Sequence, residues 1–185
     1  MSSSSARPVL YVIACGGFPS EAIPDQVRRA QGDGWEVCVI GTPKGSEFLD
    51  VRLLADLTGY PVRDNYKRPE DPDVLPPADA FLCAPATFNT VNLMAAGAST
   101  TLALGILNEA VGGGMPVIVA PWPNRALANH PAFPASVQTL RDVGVRFVLD
   151  PDLLPVPNSG RPGSARFPWD QVHKELAGVH ARLTD

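Results

Sequence analysis

The segment Ala84–Thr90 concentrates polar chemistry at one point of this chain. It follows the apolar run 80–83 and opens a small-residue segment of helical character. A polar turn between a strand and the start of a helix is where open α/β sheets bind ligands. The Thr87 and Thr90 hydroxyls, the Asn89 amide and the free N–H groups of a first helical turn suit an acceptor-rich ligand, such as a phosphate, a ribityl chain or a heteroaromatic edge. Alternatively, Thr87 or Asn89 only caps the helix.

Two earlier turns carry residues suited to an anion. Gly16 and Gly17 let the backbone approach a ligand and aim N–H groups at it, and the helix start that follows favours negative charge. Lys44 could reach the same phosphate as a point charge or remain solvated at the surface. Because the Gly-Gly pair fits neither G-x-G-x-x-G nor G-x-x-x-x-G-K-[ST], classical NAD and ATP sites are disfavoured.

A fourth turn, Pro121–Asn124, offers an aromatic ring and an amide. Trp122 lies between two prolines, where a large ring needs a packing partner, so it either covers a flat ligand or fills the edge of the core. Asn124 can donate and accept, so it either contacts a carboxylate or amide of a ligand or caps the next helical turn.

Strands and helices alternate between these turns. The apolar runs predict strands at 8–14, 36–41, 61–63, 79–84, 116–120 and 145–149, and the periodicity predicts helices at 19–31, 46–57, 87–96, 101–111, 134–143 and 169–182. Ser46 is the expected N-cap of the second helix. The pattern indicates an α/β fold, Rossmann-like and doubly wound, with a mostly parallel sheet and helices on both faces. Right-handed crossovers would bring the four turns to one edge of the sheet.

Length and composition narrow the class of protein. The 185 residues suit one domain, with a disordered tail at 1–7 and a Pro/Gly-rich loop at 150–168. The net charge of −4 argues against nucleic acid as a partner, and no apolar run approaches the ~20 residues of a membrane span. Residues 1–6 lack the apolar core of a signal peptide, so we expect a cytoplasmic protein. The three widely spaced cysteines are expected to be buried thiols, and no histidine has metal-ligand spacing with them.

The third and fourth turns resemble the motifs of a known family. Pro85-Ala86-Thr87-Phe88-Asn89-Thr90 is similar to P-A-S-A-N-T, and the run Pro121-Trp122-Pro123-Asn124-Arg125-Ala126-Leu127 is similar to a degraded P-A-M-N-x-x-M-W. These motifs belong to the FMN-binding, homo-oligomeric flavin-containing cysteine decarboxylases, which include phosphopantothenoylcysteine decarboxylases and lantibiotic-type peptide decarboxylases. Residues 42–49 also resemble the family's second turn, T-x-S-A-x-x-F, so the similarity extends over about residues 8–149.

The resemblance implies a flavoprotein that uses FMN for redox or decarboxylase-like chemistry on a small substrate. Asn124 matches the family's substrate-binding asparagine. The cofactor contacts that the resemblance implies, by position, come from Gly16, Gly17, Phe18, Thr42, Pro43, Lys44, Pro85, Ala86, Thr87, Phe88, Asn89, Thr90 and the backbone at Trp122.

Two features of the family are missing from this sequence. The segment 66–73, which should hold a catalytic histidine, has none, and Asp71 is nearest to that position by spacing. The loop 155–168 lacks the cysteine of the pantothenate-pathway members. Cysteine decarboxylation is therefore not expected, and Asp71, Asn124 and Arg125 are the remaining acid–base candidates. The alternatives are a flavin carrier or accessory protein without turnover and, ranked last because a G-A-S first turn is absent, prenyl transfer to flavin.

The same resemblance implies self-association. The small side chains of residues 95–99 would let a second backbone approach closely, or they could pack within the subunit. We expect a homo-oligomer, a trimer or a multiple of trimers, with each flavin near a subunit boundary.

Overall fold

The computed structural model describes residues 7–184, so residues 1–6 of the predicted disordered tail lie outside it. Five strands form one parallel sheet in the order β2-β1-β3-β4-β5, which confirms the predicted fold class. The apolar runs of the sequence correspond to these strands because both faces of a parallel sheet are buried. The strands are β1 (Val9–Ala14), β2 (Glu36–Gly41), β3 (Ala80–Ala86), β4 (Val117–Pro121) and β5 (Arg146–Phe147).

Seven α-helices and three 3-10 helices connect and cover the strands in the described part of the chain. The α-helices are α1 (Ile23–Gly32), α2 (Val51–Thr58), α3 (Phe88–Ala95), α4 (Leu102–Gly112), α5 (Arg125–Ala128), α6 (Ala132–Asp142) and α7 (Trp169–Thr184). The 3-10 helices are Phe18–Ala22, Ser46–Phe48 and Arg161–Arg166. No helix in residues 7–184 combines the length and the apolar character needed to cross a membrane.

Each face of the sheet has its own hydrophobic core. One core joins alternate strand residues to α1, α2 and α7, and Trp35, which is 1% exposed, is its largest fully buried side chain. The other core joins the intervening strand residues to α3, α4 and α6. The strands alternate between the two cores because successive side chains point to opposite faces. With both faces covered, the carboxyl edge of the sheet is left for the four turns.

Several predicted boundaries were wrong. Ser46 does not cap α2, because the turn before it closes on itself through the bond from the Ser46 N–H to the Thr42 carbonyl (2.9 Å). The helix starts only after Asp50, whose carboxylate accepts from the Leu53 N–H at 3.0 Å. The predicted helix 19–31 begins as a 3-10 helix, the predicted strand 61–63 is a single bridge between Ile40 and Arg63, and β5 is shorter than predicted.

The loop 150–168 is held to the body of the protein by backbone contacts. The Arg125 N–H donates to the Pro155 carbonyl at 2.8 Å, and the Arg125 guanidinium donates to the carbonyls of Leu154 and Asp152, each at 3.0 Å. At its end, the Phe167 ring lies 5.1 Å from that of Trp122. The loop is thereby fastened beside the fourth turn.

Candidate functional site

The four turns surround one cleft at the carboxyl edge of the sheet. It consists of three adjoining cavities of about 600, 450 and 210 Å³ that share lining residues. Cys15, Lys44, Thr87 and Asn89 line both of the larger cavities, whereas Gly16, Gly17, Trp122 and Asn124 are shared by the largest and the smallest. The predicted cofactor residues that line at least one cavity are Gly16, Gly17, Phe18, Thr42, Pro43, Lys44, Thr87, Phe88, Asn89, Thr90 and Trp122.

Pro85 and Ala86 lie differently from the other predicted residues. Both are buried in the last two positions of β3, where they belong to the strand rather than to the turn that was predicted. Their carbonyls accept from Cys15 N–H at 3.1 Å and from Trp122 N–H at 2.8 Å. These two residues therefore join the first and fourth turns to the central strand beneath the cleft.

The first turn requires glycine. Gly16 and Gly17 have φ of 98° and 104°, a backbone conformation that residues with a Cβ rarely adopt. Neither N–H has an acceptor among residues 7–184, so both are available to a ligand. Ser20, in the 3-10 helix that follows, is 1% exposed, and its hydroxyl also has no partner in the described chain. Such unpaired groups fit an acceptor-rich ligand, because buried polar atoms normally find a partner.

The second turn is fixed against the end of β1. Thr42 N–H donates to the Ala14 carbonyl at 2.9 Å, and its hydroxyl accepts from Gly45 N–H at 2.9 Å. A side chain at Gly45 would collide with the Ala14 carbonyl oxygen, so the close approach requires glycine. Lys44 is exposed and forms an ion pair with Glu47 at 2.7 Å, which raises the pKa of Lys44. Because an exposed pair is easily exchanged, this ammonium can move to an anion in the cleft.

The third turn caps α3 through one of its two threonines. The Thr87 hydroxyl accepts from Thr90 N–H at 3.2 Å and lies 2.9 Å from the Thr90 hydroxyl, so Thr87 is the N-cap residue. Asn89 is not the cap, because it lies in the first turn of α3 with an exposed side chain. The Phe88 ring stacks on Phe133, with the centroids 6.1 Å apart. Asn89 thus keeps its amide available to the cleft.

In the fourth turn, Trp122 and Asn124 each have both of the roles that the sequence left open, one structural and one in the cleft. The half-buried Trp122 ring packs on Phe167 and also lines the cleft, so it fills the edge of the core while offering a surface to a ligand. The Asn124 side chain caps α5 by accepting from Leu127 N–H at 3.0 Å, and it lines the cleft as well. Its amide N–H₂ group remains free for a ligand, because the cap uses only the oxygen.

Comparison with known proteins identifies the group to which this arrangement belongs. The sequence profile of the flavoprotein family matches residues 2–179, which is nearly the whole chain. The chain belongs to the flavoprotein family. The resemblance drawn from the third and fourth turns is confirmed at this level.

Individual relatives of this flavoprotein agree with the family. It is 27% identical over 151 residues to the coenzyme A biosynthesis bifunctional protein CoaBC of Vibrio vulnificus (strain YJ016). The aligned region covers 78% of this chain but only 37% of the length of that relative. Its structure is similar to that of the cypemycin decarboxylase CypD, at 26% identity with a TM-score of 0.63, covering 93% and 96% of the two chains. It also resembles the FMN-dependent cysteine decarboxylase TvaF from thioviridamide biosynthesis, at 19% identity with a TM-score of 0.69 and coverage of 94% and 98%.

Two acid–base candidates of the flavoprotein lie outside the cleft. Asp71 is exposed, and its carboxylate accepts from Arg68 N–H at 3.0 Å. It lies near a separate side cavity of about 440 Å³, which we define by the lining residues Tyr11, Arg63, Lys67, Asp73 and Glu109. The Arg125 guanidinium donates its hydrogen bonds to backbone carbonyls of the 150–168 loop. Among the described residues that line the cleft, there is no histidine, aspartate or glutamate, so Asn124 is the one predicted candidate that remains there.

The flavoprotein also has a site residue that the sequence did not indicate. Cys15, at the end of β1, is 5% exposed, lines both larger cavities, and lies with its sulfur 3.4 Å from that of Cys83 on β3. Hydrogen bonds from Cys83, the Thr90 hydroxyl and the Thr87 backbone lower the pKa of Cys15 despite its burial. The two cysteines are 68 positions apart, so only the pairing of β1 with β3 reveals the contact.

Proposed function

We propose that this flavoprotein binds one FMN per chain in the cleft and uses it for redox or decarboxylase-like chemistry on a small substrate. The observation that carries the proposal is the turn at Gly16 and Gly17, two residues that line the cleft and whose N–H groups have no acceptor among residues 7–184. Successive backbone N–H groups beside a helix start are a common phosphate site. Family membership supports flavin as the ligand.

Different residues of the cleft would bind the two ends of FMN. Gly16 and Gly17 would hold the terminal phosphate, with Lys44 exchanging Glu47 for the phosphate charge. Thr42, Asn89 and the first turn of α3 would provide donors and acceptors to the ribityl chain and the polar ring edge. FAD should bind less well, because a turn closed around a terminal phosphate leaves little room for an adenylate.

The chain itself contributes binding and orientation rather than an obvious base. Flavin, when bound, can accept two electrons from a substrate. Asn124 would orient that substrate through its free amide N–H₂ group, which suits a carboxylate or an amide oxygen. Trp122 and the fastened 150–168 loop would limit access of water to one side of the cleft.

We expect no decarboxylation of C-terminal peptidyl cysteine or of phosphopantothenoylcysteine at the rate of the resembled enzymes. A general base commonly contributes about 10²–10⁴-fold, and no described cleft residue is a histidine or a carboxylate. Carbon dioxide release from either thiol substrate would contradict this expectation. If that release were abolished by Asp71→Asn with flavin still bound, Asp71 would be the base.

The lack of a histidine or a carboxylate among the described cleft residues favours a second candidate function. A flavin carrier or accessory protein needs the binding groups of the cleft but no acid–base residue. Steady-state oxidase or reductase activity with bound flavin would support the enzyme, whereas flavin binding without turnover, together with flavin transfer to a second protein, would support the carrier.

We further propose that the chain forms a homo-oligomer, a trimer or a multiple of trimers, with the flavin near a subunit boundary. The support is the small-residue segment 95–99, which begins at the last residue of α3 and contains residues exposed in the single chain. A second copy could also supply the histidine or carboxylate that the described cleft lacks. Light scattering of the flavin-bound protein should give the mass of three chains or a multiple of three, and a monomer mass would contradict the proposal.

The spectrum and mass of the small molecule that co-purifies test the proposal directly. We expect a yellow protein whose extracted ligand has the mass and absorbance of FMN, in an amount of about one per chain. Extraction of FAD or of a different cofactor would contradict the assignment of FMN.

A further inference from the structure

Two thiols lie in contact at the bottom of the cleft, and only one of them lines it. Cys83 on β3 is the register partner of Ile13 on β1, so Cys15 lies two residues further along the same face, toward the carboxyl edge. Their sulfurs are 3.4 Å apart. Cys15 reaches both larger cavities, whereas Cys83 is 0% exposed and lies behind it. One thiol is therefore accessible to a small molecule in the cleft, and its neighbour is accessible only to the first thiol.

The surroundings of Cys15 favour a reactive sulfur. It lies beside the start of α3, where free N–H groups and the helix dipole stabilise negative charge. The Cys83 thiol, and after it the Thr90 hydroxyl and the Thr87 backbone, donate to its sulfur and lower the pKa of Cys15, although burial opposes the shift. Cys38 differs in both respects, because it lies buried on β2 with its pKa raised to about 12, first by burial and then by Glu36.

We propose that Cys15 and Cys83 form a redox-active dithiol, in which Cys15 attacks a low-molecular-weight disulfide from the cleft and Cys83 resolves the product. In the first step the Cys15 thiolate forms a bond to one sulfur of the small disulfide, whose S–S bond breaks and releases one thiolate. In the second step Cys83 gives up its proton and its sulfur forms a bond to that of Cys15, while the bond between Cys15 and the small thiol breaks and the departing thiolate takes up the proton. The protein loses two electrons and two protons, and the small disulfide gains them as two thiols.

The distance between the sulfurs is compatible with this closure. A disulfide bond is about 2.05 Å long, so the two sulfurs must approach by roughly 1 Å from their present contact. Because Cys15 lies two positions beyond the register partner of Cys83 on the adjacent strand, closing the bond also requires the chain at Cys15 to shift toward β3. The reaction needs no flavin, but Cys15 lines the cavities in which FMN is proposed to bind, so we expect bound FMN to slow the attack on the small disulfide.

Treatment with glutathione disulfide tests the pair in the wild-type protein. We expect the intact mass to fall by about 2 Da, the count of free thiols to fall by two, and peptide mapping to join Cys15 to Cys83. Glutathione as reductant should restore the original mass. Cys38→Ser is the matched control and should behave as the wild type. An unchanged mass at saturating glutathione disulfide, or a crosslink that includes Cys38, would overturn the proposal.

Single variants test the order of the two steps. Cys83→Ser should retain glutathione on Cys15 because no second thiol resolves the mixed disulfide, and Cys15→Ser should take up none because Cys83 is fully buried. Cys83→Ala and Cys15→Ala repeat the test if a serine hydroxyl unfolds the core. Stable labelling of Cys83 in the Cys15 variants, with none of Cys15 in the Cys83 variants, would overturn the assigned roles.

Discussion

Two cavities of comparable size lie on this molecule, and they differ in what lines them. The largest cavity of the cleft, about 600 Å³, is lined by glycine turns, the start of α3 and Cys15. The side cavity, about 440 Å³, is lined by long charged side chains, and Lys67 pairs there with Asp73 at 3.0 Å. In the cleft the N–H groups of Gly16 and Gly17 lack an acceptor within the described chain, whereas in the side cavity Tyr11, Tyr66 and Lys67 have partners. Volume alone therefore does not mark a ligand site, but unpaired polar groups do.

The polar side chains around the side cavity bind other parts of the chain, so they are not left as donors for a ligand. Tyr11 donates through its hydroxyl to the Pro76 carbonyl at 2.8 Å, and Tyr66 donates to the Thr101 carbonyl at 3.2 Å. Lys67 also donates to the Asp71 carbonyl at 2.9 Å. These contacts fasten residues 64–79 to β1 and α4, and they leave Asp71 at the surface.

The largest expected effect comes from the first turn of the cleft. Gly17→Ala should lower the affinity for FMN by about 100-fold, or roughly 3 kcal/mol, because two charge-assisted bonds from the displaced turn would be lost. Gly114→Ala is the matched control, since Gly114 also has a positive φ but lies outside the cleft. Gly17→Ala should lose more stability than Gly114→Ala, because Gly17, at φ 104° and ψ 157°, lies in a region that residues other than glycine rarely adopt. Equal FMN affinity in the two variants, measured by fluorescence titration, would remove the turn from the proposed site.

A smaller loss of affinity should follow from Asn89→Ala. We expect FMN binding to weaken by about 1–3 kcal/mol, because the cofactor would lose a hydrogen-bond partner at the start of α3. Asn65→Ala, in the segment beside the side cavity, is the control and should leave the affinity unchanged. Since Thr87 already caps α3, unchanged affinity in the Asn89 variant could not be explained by capping and would exclude its amide from the site.

The side cavity should instead respond to alkaline pH. Burial raises the pKa of Tyr11 from 10.0 in the unfolded chain to about 12 in the folded protein. The stability that Tyr11 contributes as a protonated, buried hydroxyl is therefore fully present below about pH 10. It is lost as the pH rises toward about 12, because the unfolded chain gives up this proton first. Tyr11→Phe should show a smaller fall in the free energy of unfolding over that range than the wild type, as measured by urea titration. Tyr66→Phe, whose ring is 59% exposed, is the control and should retain the wild-type dependence.

The sequence predicted the strands well and the starts of helices less well. The apolar runs predicted as strands at 8–14 and 36–41 correspond to β1 and β2, because continuous burial leaves a clear signal. The helix start at Ser46 was mispredicted, since the turn bonds of Thr42 and the cap at Asp50 compete with it through contacts that no periodicity records. The 3-10 helix after Gly17 likewise depends on backbone geometry that the residue types alone do not determine.

The candidate site was predicted where the four turns carry local signals, and it was missed where it depends on strand order. Gly16, Thr87 and Asn124 stand next to strand ends in the sequence, so their convergence follows from a parallel sheet. The contact between Cys15 and Cys83 required the neighbouring positions of β1 and β3, which the sequence did not supply. The residue type alone made Arg125 an acid–base candidate, because its anchoring partners lie 27 to 30 positions away in the 150–168 loop.

Titration of the flavin-free protein with FMN tests the central claim most directly. The account predicts that FMN fluorescence changes to saturation at about one FMN per chain, with a Kd in the micromolar range or below, and that FAD competes poorly. The same titration on Gly17→Ala provides the site-specific comparison. Absence of FMN uptake at micromolar concentration, by a protein shown to be folded, would contradict the account.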